Sequence, residues 1–179
     1  MKRRSFFKKG IALASAPLIS SELMAKSALE QQLSNGPFNL DYAPHFGMFK
    51  HHGGDDPVDQ LQFIYDHGFR SLEDNGMKDR SKKDQERIAE KMSQLGMTMG
   101  VFVAHKIYWR KPNLTSGNRE HQDEFVQNVK DSVEVAKRVN AIWMTVVPGH
   151  VDLGLEKDYQ TANVVDALRR ACEVLEPHG

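Results

Sequence analysis

From Phe38 onward, short apolar runs alternate with stretches in which apolar residues recur every three or four positions. That pattern predicts buried strands alternating with amphipathic helices, and four such units can be counted. The first joins a strand over 39–45 to a helix that opens at Asp56-Pro57, an N-cap followed by proline at N1. This helix keeps Val58, Leu61 and Ile64 on one face and stops at Gly68. The second unit has a strand over 69–73 and a helix opened by Ser81, with Ile88, Met92 and Leu95 before Gly96. The third has a strand over 97–104 and the longest helix, striped by Phe125, Val129, Val133 and Ala136. The fourth has a strand over 141–147, with Trp143 expected in the core, and a helix over about 159–175. Val164, Leu168, Cys172 and Leu175 are expected to form the buried seam of that last helix.

Repeated strand-helix units imply an α/β protein with a parallel sheet. The first βα loop, His45-Phe46-Gly47-Met48-Phe49-Lys50, has no glycine-rich phosphate fingerprint, which argues against a doubly wound nucleotide-binding sheet. The fold expected is a TIM (β/α)8-type barrel of which about the first four βα units are present. Pro177-His178-Gly179 forms the turn that would deliver a fifth strand. Four parallel strands leave two unpaired edges, so the expectation is a missing C-terminal half or a half-barrel completed by a second copy or a partner.

The N-terminus has a different character. Lys2-Arg3-Arg4-Ser5-Phe6-Phe7-Lys8-Lys9 precedes an apolar stretch over 10–19 that is too short for the ~20 residues a bilayer span needs. The paired arginines resemble the twin-arginine export motif, which implies a bacterial, exported or periplasmic protein handled by the Tat machinery with no stable membrane insertion. The division expected is a signal peptide over 1–25, a leader over 26–37 and the barrel domain over 38–179. The whole chain balances 24 basic against 24 acidic residues. Removing residues 1–25 takes five basic residues and one acidic one, leaving 19 against 23 and a formal charge of −4. A mildly acidic body argues against nucleic acid as a partner. Cys172 is the only cysteine, which rules out an intrachain disulfide; its apolar helical surroundings suggest a buried structural thiol.

Active sites of parallel barrels lie at the C-terminal ends of the strands. There the sequence places His45, then Glu73-Asp74-Asn75, then His105-Lys106, then Pro148-Gly149-His150. Histidine titrates near neutrality and can donate, accept or bind metal, while a glutamate can orient a histidine or take a hydroxyl proton. His105 ends the apolar run Val101-Phe102-Val103-Ala104, where an idle polar group would be costly. Trp109, in the long loop after the third strand, could wall a sugar site by stacking. Each residue also has a structural reading: His45 as a strand cap, Glu73 as the partner of Arg70 or Lys78, the loop aromatics as packing for their own helix.

The stretches Asn39-Leu40-Asp41-Tyr42-Ala43-Pro44-His45, Gly68-Phe69-Arg70-Ser71-Leu72-Glu73 and Gly96-Met97-Thr98-Met99-Gly100-Val101, with the closing Leu175-Glu176-Pro177-His178-Gly179, resemble the xylose isomerase-like TIM barrels. They resemble in particular the hydroxypyruvate isomerase-like, sugar phosphate isomerase-epimerase branch. The resemblance implies a small-molecule sugar or keto acid substrate and proton transfer through an enediol. It also implies a divalent cation, manganese, magnesium or cobalt, whose ligands lie mainly on strands 5 to 8. On that reading His45, Glu73, His105, His150 and Trp109 are substrate-binding residues and none of them is a metal ligand. Two other functions remain open at this stage. One is a non-catalytic periplasmic sugar-binding or partner-dependent module; the other is a zinc-dependent endonuclease-like phosphodiesterase, which the acidic body disfavours.

Overall fold

A computed structural model describes residues 37–179; the expected signal peptide, and all but the last residue of the expected leader, lie outside the described residues. The helices begin and end where local chemistry dictates. After a single turn, α1 (Lys50–Gly53), α2 (Pro57–Asp66) starts where the Asp56 carboxylate accepts the Val58 N–H at 2.8 Å, with proline at N1. α3 (Lys82–Leu95) is capped by Ser81 Oγ, which accepts the Asp84 N–H, and it ends at Gly96 with φ 63°. Asn118 accepts the Glu120 and His121 N–H groups to open α4 (Arg119–Val139), and Asn140, also left-handed at φ 53°, closes it. α5 (Lys157–Leu175) completes the set.

The strands are β1 (Ser71–Leu72), β2 (Thr98–Met99), β3 (Val101–Val103) and β4 (Trp143–Thr145). β1 pairs with β2 in parallel, Leu72 beside Met99, and β3 pairs with β4 in parallel, Phe102 beside Met144. The predicted third strand is thus present, divided at Gly100. The Gly100 N–H bonds to Leu72 O at 2.7 Å, as a regular ladder requires, but the Asp74 N–H reaches Val101 O, one residue beyond the acceptor expected. One extra residue has entered the strand: a bulge. Met99 and Phe102 are therefore both buried in the same core although an odd interval separates them. A Cβ at position 100 would come within 3.1 Å of Leu72 O, so the bulge has glycine where the neighbouring backbone is closest.

His45 and Glu73 form a further parallel bridge. The spatial order therefore follows the sequence order, first strand segment, β1, β2–β3, β4. Each helix packs on the next in the same sequence, α2 on α3, α3 on α4, α4 on α5. One core joins α2, α3 and α4 to the sheet through Leu61, Ile64, Ile88, Met92, Phe102 and Val139; a second lies beneath α4 and α5 around Phe125, Val129 and Ala167. Sequential parallel order with its helices in one layer is barrel winding, whereas a doubly wound sheet reverses direction at its centre.

Three expectations change. The first strand is reduced to the single bridge at His45, and residues 39–42 are exposed. Trp143 is 69% exposed instead of being in the core. Its neighbour Met144 packs against the helices, so alternation turns Trp143 to the opposite face, and among the described residues no strand lies beyond β4. The seam of α5 is also rotated: Ala167 and Ala171 are buried, Val164, Leu168 and Leu175 flank them, and Cys172 is exposed. Small residues let α5 approach α4 closely, and that rotation carries the thiol outward. Among the described residues no helix is long and apolar enough to cross a membrane.

Candidate functional site

At the C-terminal end of the first two strand positions, backbone pairing sets two titratable side chains next to each other. The Glu73 N–H bonds to Pro44 O at 3.1 Å, which fixes the register, and His45 Nε2 then lies 3.5 Å from Glu73 Oε1. Both side chains are partly exposed, 42% for His45 and 28% for Glu73, so the pair is open to a ligand. The adjacent Asp74 points elsewhere. Its buried carboxylate accepts from Arg80 Nε at 2.5 Å and from the Gly76 N–H, which ties down the turn that follows β1.

A cavity of about 600 Å³ opens between that turn and the long β3–α4 loop. Asn75, Lys78, Val103, His105, Lys106 and Trp109 line it. Met77, fully buried, pulls the turn inward and thereby sets Lys78 on the cavity wall, where its ammonium donates to Asn128 Oδ1 on α4. Burial pushes the Lys78 pKa down, against the pull of Asp131, Asp79 and Glu124. On the other side the Tyr108 hydroxyl donates to the Glu124 carboxylate at 2.8 Å, and Lys106 Nζ lies 4.7 Å above the Tyr108 ring. Trp109 is 71% exposed at the rim.

His105 lies at the cavity wall with its ring largely committed. It is 4% exposed; Nδ1–H donates to Lys106 O at 2.9 Å, and Nε2 accepts the Val147 N–H at 3.0 Å. Both nitrogens bind backbone, so the ring acts as a strut between the ends of β3 and β4, and burial lowers its pKa. His150 is exposed, with its ring bonded to the adjacent Val151 carbonyl. The structure therefore brings His45 and Glu73 together, sets His105 and Trp109 on the neighbouring cavity, and leaves His150 on the surface of the β4–α5 loop.

Residues 61–179 match the family model described as xylose isomerase-like TIM barrel. The chain belongs to that family. Among solved structures, this xylose isomerase-like chain is similar to 3-keto-D-glucoside 4-epimerase, YcjR, from E. coli in its apo form, with a TM-score of 0.56 at 13% identity. The match covers 78% of this chain and 53% of the epimerase, so the chain spans about half the length of that relative. At that identity the likeness is one of fold. No curated protein matches.

The divalent cation implied by the sequence resemblance would need a shell of several donors. Among the described residues of this xylose isomerase-like chain no three His, Cys, Asp or Glu side chains converge. His45 and Glu73 supply two donors, fewer than the four or more that a divalent cation takes, so the described residues do not by themselves fit a bound cation. The sequence reading named Lys78 only as a possible partner of Glu73, which the structure gives to His45 instead, and it did not name Asn128. A signal for Lys78 was present in Met77, a lone large apolar residue in an otherwise polar turn, which marks that turn as anchored. Asn128 is a polar position on an amphipathic helix and carried no such mark.

Proposed function

We propose that this chain forms the substrate-facing half of a sugar or hydroxy-keto acid isomerase or epimerase that moves a proton between adjacent carbons through an enediol. The observation that carries the reading is the His45–Glu73 pair, set side by side by strand pairing at the barrel end where such chemistry is done. Glu73 takes and returns the proton, and His45 holds its carboxylate and donates to a substrate oxygen. Trp109 offers a face on which a sugar ring can stack. The activity belongs to a closed barrel. A divalent cation, manganese, magnesium or cobalt, enters the proposal only with ligands supplied from outside the described residues, and neither role given to His45 and Glu73 depends on it. Export through the twin-arginine route, resting on Arg3-Arg4, is part of the same proposal.

The test is deuterium incorporation from solvent into carbon-bound positions of a panel of sugars and hydroxy-keto acids, with manganese added, using the full-length protein. Exchange is expected, with at least a 100-fold loss in Glu73→Gln and a smaller loss in His45→Asn. Absence of exchange across the panel, with ligand binding retained, would overturn the enzymatic reading and favour a binding module.

A further inference from the structure

The cavity between the turn after β1 and the β3–α4 loop has an uneven charge. Lys78 and Lys106 both line it, while Asp79 is the only carboxylate on its wall. Lys78 is partly buried, and among the described residues no carboxylate oxygen lies within 4 Å of its ammonium; its hydrogen-bond partner is the neutral amide of Asn128. Asp79, Glu124 and Asp131 act on it only from a distance, and Glu124 is already engaged by the Tyr108 hydroxyl. A partly desolvated cation with no carboxylate oxygen within 4 Å is one that an anion would stabilise. The space needed is present, about 600 Å³, which exceeds the volume of a single phosphate or carboxylate group and leaves room for the carbons attached to it. The Asn75 side chain, at the rim, is a further potential amide donor.

We propose that this cavity is an anion-binding subsite that holds the carboxylate or phosphate of an acidic substrate against Lys78 and Lys106. The proposal deepens the isomerase reading by making the substrate acidic, and it rests on that reading only for the ligand's role as a substrate. Lys78 lies five positions after Glu73, in the turn that follows β1, so the subsite and the proton-transfer pair belong to the same C-terminal end of the parallel strands. His105, neutral and bonded to backbone at both nitrogens, adds no charge to the subsite.

The experiment titrates the full chain with inorganic phosphate, with glycolate and with glucose at constant ionic strength set by sodium chloride, and follows amide resonances by NMR. Saturable shifts confined to 75–79, 105–109 and Asn128 are expected for at least one anion and none for glucose. Lys78→Met is expected to weaken that binding at least tenfold and Lys78→Arg to restore most of it. Preference for phosphate identifies a phosphorylated substrate, and preference for glycolate a carboxylic acid; either supports the subsite. Lack of saturable shifts with both anions, or equal binding by wild type and Lys78→Met, would overturn it. Should Lys78→Met fail to fold, Lys106→Met and the wild-type titration carry the same test. Anion binding that persists in Glu73→Gln without proton exchange in the wild type would sink the isomerase reading and leave the subsite standing.

Discussion

Replacing His105 by phenylalanine isolates the strut between β3 and β4. The ring and its edge-on contact with Phe125, at 5.0 Å and 88°, are retained, while both hydrogen bonds disappear. The Lys106 carbonyl belongs to an exposed residue and can turn to water, so the main loss is the Val147 N–H left facing a hydrocarbon edge. An orphaned donor of this kind costs about 1–3 kcal/mol. A central value of about 2 kcal/mol raises the unfolding equilibrium constant roughly 30-fold. Urea denaturation should show a lower midpoint at unchanged slope, and the Val147 amide should exchange faster than its neighbours. The same variant has a pH signature. Burial, the largest influence, holds the native His105 pKa below the ordinary 6.5; the Lys106 carbonyl opposes this, Lys78 adds to it and Glu124 subtracts from it. The unfolded chain therefore binds more protons over the window from about pH 6.5 down to the lower native value. Wild-type stability should fall as pH falls through that window, and the fall should level off below the native value. The phenylalanine variant should lack this component of the slope. A variant within about 0.5 kcal/mol of wild type, with Val147 exchanging at the wild-type rate, would refute the strut.

Further outcomes are expected elsewhere. Ser132→Ala removes a fully buried hydroxyl on α4 that donates to Ala104 O at 2.6 Å, and should cost about 1–2 kcal/mol by chemical denaturation. Asp74→Ala frees the Arg80 guanidinium, which lies over the Phe46 ring, and removes the acceptor of the Gly76 N–H; a loss of about 3 kcal/mol is expected, with faster amide exchange over 75–80. Trp143→Ser should change the stability of the chain by less than about 0.5 kcal/mol in chemical denaturation, whereas a buried tryptophan would cost several times more.

The helices were legible because their signals are local. Asp56-Pro57, Ser81 and Gly96 each act on backbone groups within four residues, and the structure places the helix ends they mark within a residue or two of the sequence reading. What depends on neighbours was harder to read. Trp143 has the composition of a core residue, and only the absence of a strand beyond β4 among the described residues leaves it exposed. Cys172 fits a helical stripe, but the close packing of Ala167 and Ala171 chose a slightly different face. The candidate site divides in the same way. His45 and Glu73 were placed from strand ends alone, and register brings them together. The free capacity of the His105 ring depended on Val147, forty-two positions away, which no local pattern encodes.

Gly100 gives the strand a change of parity. On its N-terminal side odd-numbered Met99 belongs to the core, and on its C-terminal side even-numbered Phe102 does, so the bulge acts on the in-and-out code of the strand as a frameshift acts on codons. A shortened strand without that residue would restore a regular ladder, with Val101 serving both Leu72 and Asp74, and Met99 and Phe102, then two positions apart, would stay on the core face by ordinary alternation. One residue of length can thus be removed here without reassigning any side chain, whereas the same deletion in a regular stretch of strand would send every downstream position to the wrong side.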